Sequence, residues 1–221
     1  MKLFYGKEIL TTLEELVDPT HTALVIVDIQ NDFCKKKDER GNIGYSVPMY
    51  EPMVPRVKKT IDAAREAGIL VVYLQHTTLP NFRNESPPRI RYLMNARGTN
   101  DPDDIEMFTL EGSWGWEVID ELTPQPEDIR ILKHRSSGFI GTNMDLVLKN
   151  SGIKTLVMTG MVTEGCVEST ARDGLFYDYY IVMLEDCVGS GNGESHEDSL
   201  RFMSKRFDMS TSDEVIKIWK S

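Results

Sequence analysis

Residues 154–177 read KTLVMTGMVTEGCVESTARDGLFY. The first six, Lys154–Thr159, are apolar and β-branched with little alternation, as in a strand covered on both faces. Gly160–Met161–Val162–Thr163–Glu164–Gly165 is a glycine-bounded turn, and Cys166–Tyr177 is predicted to be helical. Strand, turn and helix in direct succession form the repeating unit of a sheet wrapped by helices.

Four more runs share the character of Lys154–Thr159: Ala23–Asp28 (ALVIVD), Ile69–Leu74 (ILVVYL), Asp128–Lys133 (DIRILK) and Tyr179–Leu184 (YYIVML). Helices are predicted between or after them. Val54–Ala67 aligns Val57, Ile61, Ala64 and Ala67 on one face and meets Gly68 at its C-terminal cap. Asn143–Lys149 follows Thr142 as N-cap, and Ser195–Arg206 follows the last strand. The fold class is therefore α/β: three layers, α/β/α, around a central, mostly parallel sheet. One domain is expected over residues 1–221, with an insertion at about 76–112. That insertion is polar, weakly periodic and carries Pro80, Pro87 and Pro88, which suits a binding loop or lid.

In an open α/β sheet, ligands bind beyond the carboxyl ends of the strands. Asp28 ends one strand, Lys133 ends another, and Cys166 opens a helix after a third. Singly, each has a plainer reading: a capping Asp, a solvated Lys, a small buried Cys. Together they offer a base, a cation and a nucleophile. A helix N-terminus and a nearby ammonium are expected to favour the thiolate of Cys166. The backbone N–H of Cys166 suits a developing oxyanion, and Asp28 suits proton transfer.

The formal charge is −10, from 35 acidic and 25 basic residues, which disfavours nucleic acid as a partner. The basic run Lys35–Lys36–Lys37 reads as a solvated loop or as a collector of anions. No apolar stretch reaches the ~20 residues of a membrane span, and the N-terminus has neither signal nor transit composition. No membrane partner and a cytoplasmic location are expected. Cys34, Cys166 and Cys187 are too few and too scattered for a disulfide framework or zinc cage.

VDIQNDF (27–33), LKHRSSGF (132–139) and TGMVTEGCVESTARDG (159–174) resemble the isochorismatase-like family of cysteine hydrolases. The resemblance runs from about Thr22 to about Cys187. It implies an Asp28–Lys133–Cys166 triad and an oxyanion hole of the Val162 and Cys166 amides, with a cis Met161–Val162 bond. No catalytic metal or cofactor is expected, because LQHTT (74–78) holds His76 alone where nicotinamidases carry D-x-H. Cys166 also argues against true isochorismatase chemistry. GSWGWEVIDELTPQPEDI (112–129) and CVESTARDGLFYDYYIVMLED (166–186) are similar to the ureidoacrylate amidohydrolase branch. What the resemblance implies is a hydrolase of C–N bonds in linear amides that acts on a small ureido (carbamoyl) compound through a thioester.

Biuret- or N-carbamoyl amino acid-type amidase activity is the alternative, as is a non-catalytic metabolite binder of the same fold. Gln30, Phe33, Gln75, His76, Trp114 and Phe139 are the expected substrate-binding residues, and one of Arg89, Arg91 and Arg97 can pair with a substrate carboxylate. The family is commonly oligomeric, so a homo-oligomer is expected.

Overall fold

Six strands form one parallel sheet among the described residues, in the order β5-β4-β3-β6-β7-β8. The structure is a computed structural model that describes residues 1–35 and 47–221. In chain order the strands are β1 (Lys2–Phe4), β2 (Lys7–Ile9), β3 (Thr22–Val27), β4 (Leu70–His76), β5 (Ile129–Lys133), β6 (Thr155–Met161), β7 (Tyr180–Gly189) and β8 (Asp208–Ser210). The helices are α1 (Leu13–Leu16), α2 (Asn31–Cys34), α3 (Val47–Glu66), α4 (Pro87–Arg97), α5 (Met144–Asn150), α6 (Glu168–Phe176), α7 (Gly193–Met203) and α8 (Ser212–Trp219). β1 and β2 form a separate antiparallel hairpin.

Strand side chains alternate between two cores, so continuous apolar runs are required. Leu24 and Ile26 of β3 join Met53, Val57 and Ile61 of α3 and Val215 and Trp219 of α8. Ala23, Val25 and Val27 point the other way, onto Met144 and Leu148 of α5, Ala171 of α6 and Met203 of α7. The three-layer α/β/α reading holds, and all five strand predictions fall on β3 to β7.

Several boundaries moved for physical reasons. α3 starts at Val47 and runs through Pro52 and Pro55, because Met53, Val54 and Val57 are buried on its sheet-facing side. Tertiary burial outweighs the helix-breaking tendency that made Val54 the predicted start. Gly68 lies at φ +71 just beyond α3, as a C-terminal cap requires. α5 begins at Met144 with Asn143 as N-cap, while Thr142 Oγ1 accepts from Met144 N at 3.2 Å. The helix predicted from Cys166 is a π-type turn at Thr163–Val167 followed by α6. α7 spans Gly193–Met203, two residues earlier at its start than predicted. β8 and α8 were not foreseen, although Thr211 and Glu214 form a capping box ahead of a buried Val215–Ile216–Trp219 face.

The insertion is more ordered than a loop. It contains α4, which opens on Ser86 and Pro87 and closes on left-handed Gly98. Lys35 lies 3.3 Å from Glu121, whereas Lys36 and Lys37 fall outside the described residues. Among the described residues no helix is long and apolar enough to cross a membrane.

Candidate active site

β3 stands between β4 and β6, so the chain moves one way from β3 through β4 to β5 and returns to the other side for β6. The crevice at that reversal is where ligands bind in such sheets. Asp28 follows β3 directly. Its backbone is left-handed (φ +50), a conformation that Asp tolerates better than most residues. The carboxyl is fully buried: Oδ1 accepts from His76 N at 3.0 Å, and Oδ2 lies 2.7 Å from Lys133 Nζ. Lys133, the last residue of β5, is also fully buried, and its ammonium donates to Arg135 O at 3.0 Å.

Cys166 sits in the turn after β6, 9% exposed. Its thiol is near enough to the Asp28 carboxyl and the Lys133 ammonium for each to act on its proton. The structure thus brings Asp28, Lys133 and Cys166 together. Met161–Val162 is cis, and Val162 and Cys166 both line the cavity.

Gly160 is needed for this approach. It adopts φ +111, and a Cβ there would lie 2.1 Å from Val27 O, because β6 pairs closely with β3 at Val27 and Gly160.

Burial dominates the proton affinities. It raises the Asp28 carboxyl above its ordinary value despite the opposing pull of Lys133. Burial pushes the Cys166 thiol up to about 12, with Lys133 acting against this and Asp28 with it. The helix N-terminus and ammonium expected to favour the thiolate meet a larger opposing effect, since burial outweighs Lys133 and shifts the thiol towards its protonated form. For Lys133, burial works against the charge, but Asp28 and the thiol more than offset it, so the ammonium is retained.

The cavity beside the thiol is small, about 60 Å³. That exceeds the roughly 10–15 Å³ needed to admit a single water. Its walls include Phe33 and His76, as predicted, together with Phe108, Ser136 and Gly165. Arg89, Tyr92, Leu93, Ala96 and Arg97, all from one face of α4, complete them.

Four expected contacts are elsewhere. Gln30 is fully buried and serves the backbone: Nε2 donates to His76 O (2.9 Å) and Trp116 O (2.8 Å), and Oε1 accepts from His76 N (2.8 Å). Gln75 Nε2 likewise donates to Trp116 O at 2.7 Å. Trp114 is 52% exposed and off the cavity wall; its carbonyl accepts from Asn31 Nδ2 at 2.8 Å. Phe139 packs in the core beneath α6, its ring stacked on Tyr177 at 4.9 Å.

Arg89 and Arg97 are among the three arginines singled out from the sequence and Arg91 is not on the wall, whereas Tyr92, Leu93, Ala96, Phe108 and Ser136 were missed. The start signal Ser86–Pro87 and the stop signal Arg97–Gly98 were the available clues to α4. Among the described residues no group of three His, Cys, Asp or Glu side chains is placed to hold a metal ion.

A buried carboxyl, ammonium and thiol thus meet at one rim of the doubly wound sheet. The Isochorismatase domain profile matches residues 22–214, and the chain belongs to that family. It is 34% identical over 193 residues to the ureidoacrylate amidohydrolase RutB of Enterobacter sp. (strain 638), covering 86% of this chain and 84% of that protein. Among solved structures, the N-carbamoylsarcosine amidase from Thermoplasma acidophilum is 30% identical with a TM-score of 0.68, covering 87% of this chain and 97% of that one. An isochorismatase-like hydrolase from Alkaliphilus metalliredigens is 30% identical with a TM-score of 0.70, covering 90% and 99%. The protein is an enzyme of the class that hydrolyses carbon–nitrogen bonds in linear amides.

Proposed function

We propose that the protein is a cysteine amidohydrolase that needs no metal and cleaves the terminal C–N bond of a small ureido (carbamoyl) compound through a thioester. The observation that carries this reading is the buried contact of Asp28 with Lys133, 2.7 Å apart, beside a cavity-lining Cys166. The names of the two amidase relatives support the ureido class.

The resting thiol keeps its proton, so Asp28 takes that proton as sulfur attacks the carbonyl carbon and the C–S bond forms. The carbonyl π pair moves to oxygen, where the Val162 and Cys166 amides receive the charge. The intermediate collapses, the C–N bond breaks, and nitrogen leaves as ammonia with the proton from Asp28. Water then attacks the thioester while Asp28 takes its proton. The second collapse expels sulfur, which recovers that proton. A ureido substrate yields ammonia and an N-carboxylate that loses CO₂. Lys133 stays cationic throughout and holds Asp28 ionised in a dry site.

The test is ammonia release from ureido acids by the native enzyme and its Cys166→Ala and Cys166→Ser variants. Loss of roughly 10³-fold or more is expected for both. Undiminished release by either would remove Cys166 as nucleophile.

A further inference from the structure

The cavity wall is positive although the chain is strongly acidic. Its described lining residues include two arginines and no carboxylate, in a protein of net charge −10. The two arginines differ. Arg89 Nε lies 3.4 Å from Glu85 Oε2, and its guanidinium stacks 4.6 Å over Tyr92, so its charge is answered within α4 and the turn before it. Arg97 has no ion pair or hydrogen bond among the described residues. Its guanidinium is held 5.7 Å over the ring of Phe108. Phe108 in turn stacks on His76, with ring centroids 5.2 Å apart and planes within 9°, while Phe33 packs edge-on against both rings.

This column of Arg97, Phe108 and His76 ends at the strand residue whose N–H bonds Asp28. His76 is buried, and its Nε2 has no hydrogen-bond partner among the described residues. Thr109 Oγ1 donates to Phe108 O at 2.7 Å and has only one hydrogen, so its 2.8 Å contact with His76 Nδ1 requires Nδ1–H to donate. Nε2 is then a bare lone pair on a ring that lines the cavity, with the chemistry to accept an N–H. The positive surroundings of Lys133, Arg89 and Arg135 add to burial in keeping this imidazole neutral.

We propose that Arg97, supported by Arg89, binds a substrate carboxylate and that His76 Nε2 accepts a ureido N–H, so that the enzyme selects ureido acids over neutral ureas. The proposal deepens the ureido-amidase reading and rests on it for the orientation of the substrate, with the carbamoyl end at Cys166 and the acid end at α4. A guanidinium presents paired donors that match a carboxylate, and stacking on an aromatic ring leaves that edge free.

The experiment measures binding by calorimetry to the Cys166→Ala protein, which cannot turn substrate over. The ligands are ureidoacetate, 3-ureidopropionate and 3-ureidoacrylate, each beside its methyl ester. At least one acid is expected to bind about tenfold or more tightly than its ester. Adding Arg97→Ala should weaken that acid by about 10–100-fold, the range of a charge-assisted contact, and leave the ester within about threefold. Arg97→Lys should restore part of the loss. Acids that bind no better than their esters, or an Arg97→Ala change that weakens acid and ester alike, would overturn the proposal. If acids bind through Arg97 but the native enzyme releases no ammonia from them, the amidase reading falls and the anion subsite stands. If native and Arg97→Ala enzymes release ammonia equally from acids and esters, the subsite falls and the amidase reading stands.

Discussion

Replacing Lys133 by methionine isolates the energetics of the buried pair. Both side chains are inaccessible to solvent, and Nζ lies 2.7 Å from Asp28 Oδ2. At an effective dielectric near 20 their attraction is about 6 kcal/mol, and the loss of one partner of such a pair costs about 3–5 kcal/mol. Lys133→Met should therefore lower unfolding free energy by about that amount at neutral pH. The pH dependence carries the sharper test. Burial already raises the Asp28 carboxyl above its unfolded value, and removing the ammonium removes its main opposing influence. A carboxyl whose folded pKa is raised contributes stability below its unfolded pKa, and that contribution is lost as pH rises through the folded pKa. The variant should thus lose stability on going from about pH 4 towards neutrality, with a slope of up to about 1.4 kcal/mol per pH unit for one proton. The double variant Asp28→Asn/Lys133→Met removes both charges and should recover most of the loss while remaining inactive. Urea unfolding at a series of pH values measures all three quantities. A double variant no more stable than Lys133→Met, or a Lys133→Met curve parallel to the native one, would refute the reasoning.

Two further outcomes follow from the same geometry. Rate against pH should show an acid limb, lying above the ordinary carboxylate range because burial raises Asp28, and no fall through pH 9, since Lys133 is raised and the thiol lies near 12; Asp28→Asn should remove that limb and about 10³-fold of kcat/KM, and a bell centred on a thiolate–imidazolium-like pair would contradict it. Gly160→Ala forces a Cβ to 2.1 Å from Val27 O at φ +111, so a loss of about 3 kcal/mol or more is expected by urea unfolding, and a variant of native stability would show that β6 can yield there.

Sequence pattern placed Asp28, Lys133 and Cys166 because strand ends can be read from apolar runs, and the ends of parallel strands share one rim of the sheet. The face of α4 had no such signal. A helix that lines this cavity presents Arg89, Tyr92 and Arg97 inward, so its inner side reads like a solvent face, and of its residues only Leu93 and Met94 are buried apolar ones. Phe139 and Phe108 show a different limit. Each is a buried aromatic near a strand or loop end, and only the fold decides that Phe139 stacks on Tyr177 while Phe108 stacks on His76. Gln30 misled for a related reason: its amide has the chemistry of a substrate contact, but the backbone at His76 and Trp116 needs it first.

The protonated thiol and the ion pair are consequences of one arrangement. A site buried enough to hold sulfur, carboxyl and ammonium away from bulk solvent also removes the solvation that would sustain a thiolate, and burial pushes Cys166 up to about 12. Asp28 can serve as its base only if it remains an anion in that same dry place. Lys133 makes this possible, since its own charge is stabilised more by Asp28 and the thiol than it is penalised by burial. With the lysine absent, the most economical neutral state puts a proton on Asp28 as well as on sulfur, and no acceptor for the thiol proton is left. In the mechanism we propose, the ammonium therefore acts mainly by setting which neighbour is free to take a proton.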